Sequence, residues 1–120
     1  MKILLINPGF RSAGGGGLGL VHVEPLGLAY IAAVVEQSER HSVDVIDCVG
    51  LAGDVVDEGD CFRIGLSDDE FDHHLSNRSF DCIGITVVQE FNHGEKSLWP
   101  LFAHLKNRFP DVPIILGGPT

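Results

Sequence analysis

Apolar residues along this chain fall into short continuous runs separated by stripes at helical spacing. Lys2 to Asn7 (KILLIN) is one such run, closed by Pro8-Gly9, and reads as a strand buried on both faces, as parallel sheets require. Pro25 suits a first helical position, where its missing N–H has no partner to lose. Leu28, Ile31, Ala32 and Val35 then follow at i, i+3, i+4 and i+7, which predicts one apolar helix stripe. Polar residues from Ser38 to Ser42 end it. Val43 to Val49 (VDVIDCV) predicts a second strand nearer the sheet edge. Leu51 to Leu66 has no period and is expected to be irregular. Ser67-Asp68-Asp69-Glu70 is a capping box ahead of a short helix carrying Phe71, His74 and Leu75. Cys82 to Val88 (CIGITVV) predicts a third buried strand. Leu98, Leu101, Phe102, Leu105 and Phe109 mark a third helix whose first turn must hold Pro100, with Lys106 and Arg108 at its negative end. Ile114 to Leu116 starts a fourth strand that ends in Gly117-Gly118-Pro119.

Strict alternation of strand and helix with short links means a parallel sheet with right-handed crossovers. The expected fold class is α/β, a flavodoxin-like (Rossmann-like) open parallel sheet, in one domain over residues 1–120 with no repeat or linker. Such domains commonly have five strands and a helix after each, whereas this sequence stops just after the fourth strand. A sheet face and a strand edge would then be bare. The expectation is a domain incomplete at its C-terminus, a fragment of a longer protein; a short chain that forms a homo-oligomer to cover the gap is the second reading.

Composition narrows the partners. The 120 residues are 44% hydrophobic and 21% charged, enough for one packed core. Eight basic and 17 acidic side chains give a net charge of −9. That surface repels phosphate backbones and anionic lipid, so neither nucleic acid nor membrane is expected as a partner. No leader-like segment and no membrane-length apolar run is present, so the expected compartment is the cytoplasm. Cys48, Cys61 and Cys82 fit no zinc or iron–sulfur spacing, and Cys82 is expected as a small core residue.

Ligands of open parallel sheets lie beyond the strands' carboxyl ends. Those ends carry Asn7-Pro8-Gly9, Thr86-Val87-Val88-Gln89 and Gly117-Gly118-Pro119, all small or hydrogen-bonding, and are expected to converge. Gly14 to Gly19 formally contains a GxGxxG. A dinucleotide fingerprint, however, follows its strand at once and opens the helix. Here residues intervene on both sides, so a flap over the strand ends is the better reading for the loop from Gly9 to Val23. No Gly-Lys-Ser/Thr marks a phosphate loop. His73 and His74 belong on a polar surface, His104 beside an apolar stripe, and His22 and His93 in loops. No Ser-His-Asp or Cys-His order points to a nucleophile. A response regulator would need acids after the first strand and one ending the third, where this chain has Asn7-Pro8 and Thr86-Val87.

Five pieces, in order, carry a resemblance: KILLINP at 2–8, EPLGLAYIAAVVE at 24–36, VDVIDCVG at 43–50, DCIGITVV at 81–88 and the run from Pro110 ending in PIILGGPT. Together they resemble the cobalamin (B12)-binding domain that precedes the radical domain in cobalamin-dependent radical S-adenosylmethionine enzymes. The resemblance implies a corrinoid across the strand ends with its nucleotide tail beside the sheet. On that basis Pro8 and Gly9 would lie near the corrin's lower face. Thr86 and Val88 would meet the tail, Gly117 and Gly118 would let it pass, and Gly27 and Leu28 would form the close-packed helix start. Methionine-synthase-type domains carry a cobalt-ligating histidine after the first strand. This chain has Asn7-Pro8-Gly9-Phe10-Arg11 there, which implies cobalt with no histidine below it. The Cys-x-x-x-Cys-x-x-Cys of the radical domain is also missing. No iron–sulfur cluster and no catalytic machinery is therefore expected in this chain, and chemistry would belong to a radical S-adenosylmethionine domain in a longer parent or in trans. The alternatives are a cobalamin-free docking module of the same fold and, behind it, a nucleotide-binding protein.

Overall fold

The protein is described by a computed structural model, which places residues 1–12, 25–52, 55–87 and 98–118. Its elements run β1 (Lys2–Asn7), β2 (Phe10–Ser12), α1 (Leu26–Gln37), β3 (Ser42–Asp47), α2 (Cys48–Ala52), β4 (Val55–Asp57), β5 (Phe62–Ile64), α3 (Asp68–Leu75), β6 (Cys82–Thr86), α4 (Leu98–Arg108) and β7 (Ile114–Gly117). Four strands form a parallel sheet in the order β3-β1-β6-β7. Counted along the chain this is 2-1-3-4, the order with which a flavodoxin-like sheet begins. The expected α/β class holds, with β3 at the sheet edge.

Side chains alternate across the sheet, and the two faces are packed unequally. One face carries Leu4, Ile6, Ile46, Ile83 and Ile85, covered by Phe71 and Leu75 of α3, by Leu105 of α4, and by Phe80 and Phe109. Each such burial contributes about 1.5–3 kcal/mol, so this face supplies most of the folding energy. The Phe80 and Phe109 rings meet edge-on at 6.0 Å. His104 Nε2 lies 2.6 Å from Asp72 Oδ1, tying α4 to α3. On the other face α1 lies chiefly over β3 and β1, and Leu28 and Leu5 are both buried. Beyond α1, this face of β6 and β7 presents Cys82, Gly84, Thr86, Ile115 and Gly117, none fully buried. β6 is therefore buried on one face and half-open on the other, where the sequence predicted a strand covered on both.

Local chemistry explains the ends of these elements. Pro25 stands just before α1, and its carbonyl accepts from Ala29 N at 3.0 Å. The capping box forms as expected: Ser67 Oγ accepts from Glu70 N at 3.2 Å, and Ser67 N donates to Glu70 Oε1 at 3.1 Å. Pro100 falls in the first turn of α4, and Lys106 Nζ donates to Val112 O just past its end.

Several expectations are corrected. Ile31 is half-exposed, because α1 turns only Leu28, Ala32 and Val35 toward the sheet. Cys82 is only partly buried, whereas Cys48 and Cys61 are the buried cysteines. Residues 51–66 are not irregular: β4 and β5 pair antiparallel there, and β2 joins them to make a second, three-stranded sheet. Phe10–Ser12 thus belongs to a strand, not to a flap. Most of the glycine-rich loop, with Gly14–Gly19 and His22, lies outside the described residues, as does His93.

Candidate functional site at the carboxyl rim of the sheet

The crossover from β1 runs through α1 on one face. The crossovers from β3 and β6 run through α3 and α4 on the other. Connections therefore part between β1 and β6, and a crevice opens between their carboxyl ends, where ligands of open α/β sheets bind. A polar row occupies this rim on the α1 face. Asn7 is paired with Asp47, and Thr86 with Gly117. Asn7 follows Ile6, whose partner is Ile85, so Asn7 and Thr86 share the next row. Parallel pairing in register thus lines up Asp47, Asn7, Thr86 and Gly117 across all four strands.

Within the row, Asn7 Nδ2 donates to Asp47 Oδ1 at 2.9 Å, and Gly50 N donates to the same oxygen at 3.1 Å. The carboxylate fixes the amide's orientation. Thr86 is half-buried, and an added side chain at Gly117 would meet nothing within 4 Å. The start of α1 reaches the same end of the sheet, since Ser38 and Glu39 close the helix at the end where β3 begins. Gly27, in its first turn, is exposed and likewise has nothing within 4 Å of an added methyl. Neither Gly27 nor Gly117 is required by crowding inside the chain, so both leave space that a ligand can use.

The other half of the rim is filled by the chain itself. A methyl group on Gly9 would lie 2.6 Å from the Ile64 carbonyl oxygen and 3.0 Å from Gly65 Cα. Gly65 has φ +133° and presses back on Gly9, and Leu66 N donates to Cys48 O at 3.1 Å. The small sheet is thereby anchored over the ends of β1 and β3, beside α3 and α4. A cavity of about 50 Å³ remains under it, lined by Gly9, Arg63, Phe71 and Leu101 among others. Glu58 holds the small sheet together. It accepts from Arg11 Nε at 2.7 Å and from an Arg63 Nη nitrogen at 2.9 Å. The Arg11 hydrogen bond, with both guanidinium charges, holds its carboxyl below the usual range. Burial pushes the Cys48 thiol up to about 12, so it stays a protonated apolar group.

The predicted site residues divide accordingly. Thr86 and Gly117 are brought together as register partners, and Gly27 stands at the same end of the fold. Leu28 packs on the sheet beneath α1. Pro8 is buried, and Gly9 is packed against Ile64 and Gly65. Gly118, at φ +138°, sits against the Val87 carbonyl, so its missing side chain serves the chain's own backbone. Val88 lies outside the described residues. The pairing of Asn7 with Asp47 was not singled out from sequence; two polar residues ending two parallel neighbours in register was the available signal. Among the described residues, no group of three or more His, Cys, Asp or Glu is placed to hold a metal ion, and no helix is long and apolar enough to cross a membrane. The rim offers hydrogen-bond donors and open backbone, which suit holding a ligand. Comparison with protein-family models, with curated proteins and with solved structures found no match for this chain.

Proposed function

We propose that this chain is a cobalamin-binding module serving a radical S-adenosylmethionine enzyme, with the catalytic chemistry carried by another domain. The observation that carries the reading is the crevice between the ends of β1 and β6, open on the α1 face and flanked by Gly27, Thr86 and Gly117. The residues fit the cofactor's nucleotide tail in kind: a hydroxyl at Thr86, and two glycines whose side-chain space is free. Pro8 and Gly9, which the resemblance would place beneath the corrin, are covered by the small sheet and carry no part of this reading. Bound there, cobalamin would supply a reducible, nucleophilic cobalt. This chain's own part is to bind and orient: Thr86 hydrogen-bonds the tail, Asn7 held by Asp47 offers a fixed amide, and the glycine backbones permit close approach.

Anaerobic titration with hydroxocobalamin tests the reading. Near-stoichiometric uptake with a shifted visible spectrum is expected. Thr86→Leu should weaken uptake about fivefold, the equivalent of one lost hydrogen bond of about 1 kcal/mol. A spectrum identical to free cofactor at all ratios favours the second reading, a cobalamin-free docking module. That reading draws on one specific feature, the apolar α1 surface turned away from its own sheet.

A further inference from the structure

We infer that this chain associates with a second copy of itself through the α1 face, each α1 seated on the other copy's β6–β7. It does not depend on the cofactor reading but shares its ground: a second α1 seated over Thr86 and Gly117 would exclude the cofactor's tail from one end of the strip. It begins with a helix apolar nearly all round. From Leu26 to Val35, α1 carries no charge. Its inward side takes Leu28, Ala32 and Val35, while Leu26, Tyr30, Ile31 and Val34 are 62, 73, 51 and 66% exposed. A helix of this kind belongs in an interior. On the same face, β6 and β7 offer a strip of Cys82, Gly84, Thr86, Ile115 and Gly117, also without charge, in which the β6 residues are partly buried and Ile115 is 61% exposed.

The strip has the dimensions of one helix. Twelve residues of helix span ~18 Å, and five residues of strand span ~17 Å. A helix over β6–β7 would lie two strand spacings from α1, about 9.6 Å, which is within the packing distance of neighbouring helices. Residues Cys82, Gly84 and Thr86 are small, and only the Leu5 side chain would meet an added methyl at Gly84. The strip therefore admits a close-lying backbone.

Self-complementarity selects the occupant. The strip needs a helix, and the outward side of α1 needs an apolar sheet. One copy of this chain supplies both, and a two-fold axis parallel to the strands satisfies both copies at once. The result is sheet, two helices and sheet, with each α1 covered above and below. A foreign helix would fill the strip and leave the top of α1 wet. Each copy contributes two strips of roughly 18 by 10 Å, so the pair buries about 720 Å² in all, less than the roughly 1,200 Å² of a stable interface and the size of a weak, transient one. The pair should therefore exchange with monomer. Because each copy carries −9, added salt should strengthen it.

Sedimentation equilibrium of the whole chain, without cobalamin, from micromolar to millimolar concentration tests this. The expected mass rises from 12.9 kDa toward twice that value, and rises earlier in high salt. Val34→Glu and Ile115→Lys, each exposed in the single copy, should weaken association by at least about tenfold while circular dichroism and the urea midpoint stay put. Tyr30→Lys reads the same contact should Val34→Glu fail to fold. Leu51→Glu, on α2, should leave association unchanged. A chain that stays monomeric at the highest concentration and salt overturns the inference. So does a dimer that the α1 and β7 variants leave intact.

Discussion

The contact between Gly9 and Gly65 decides whether the small sheet can sit on the rim, and its replacement gives the sharpest stability prediction. At Gly65, alanine meets two obstacles. The backbone has φ +133°, a conformation side chains rarely adopt, and holding it costs about 1–3 kcal/mol. The new methyl would also lie 2.7 Å from Gly9 Cα, an overpacking worth about 1–3 kcal/mol more. Gly65→Ala should thus lose about 2–6 kcal/mol, against a total of roughly 6–18 kcal/mol for a domain of this length. Gly9→Ala meets only the clash and should lose about 1–3 kcal/mol. Gly27→Ala has open space around it in a helix, and should gain about 0.5–1 kcal/mol. Urea denaturation followed by circular dichroism reads all three. With a slope of about 1–3 kcal/mol/M, the Gly65→Ala midpoint should fall by about 1 M or more. The packing argument fails if Gly65→Ala unfolds at the parent's midpoint, or if Gly27→Ala is as damaging as Gly65→Ala.

Three further outcomes follow from individual contacts. Ser67→Ala removes the cap of α3 and should lower stability by about 1 kcal/mol in the same assay, with Ser67→Asn nearly neutral. Glu58 has a carboxyl held below its ordinary value near 4.5 by Arg11 and Arg63. The stability it lends is present above that value and is lost as pH falls through the lower, folded one. Urea midpoints measured from neutral pH downward should therefore fall less steeply in Glu58→Gln; equal slopes would remove Glu58 from the acid response. Cys48, buried with its thiol near 12, should resist alkylation at pH 8 until denaturant is added, while the partly buried Cys82 is labelled faster in the native protein. Fast native labelling of Cys48, read by mass spectrometry, would contradict its burial.

Much of the frame was legible because each long element carries a period that only one structure satisfies. KILLIN and CIGIT gave strands, Ser67 and Glu70 gave a helix start, and the stripe through Leu105 and Phe109 gave a buried helix face. The small sheet was not legible. Its strands have three residues each, too few for alternation to show, and Val55–Asp57 is exposed throughout. Its position depends on two glycines, Gly9 and Gly65, more than fifty residues apart, whose mutual contact no local pattern records. At the rim, sequence marked three small or hydrogen-bonding strand ends, with Gly27 at the helix start, as one group. Structure separates them: Gly9 and Gly118 are glycine for internal packing, while Gly27 and Gly117 face free space. A strand-end glycine looks the same in both cases, and only its neighbours tell them apart.

In the proposed function, the crevice on the α1 side of the β1 and β6 ends is a ligand seat for cobalamin. Backbone amide NMR on the ¹⁵N-labelled chain, titrated with diamagnetic hydroxocobalamin, tests it position by position. Saturable shifts should centre on Asn7, Gly27, Thr86 and Gly117. Little change should appear at Met1, Lys2 and His41, on the opposite rim. Amide positions that do not move at saturating cofactor, or shifts confined to that opposite rim, would contradict it.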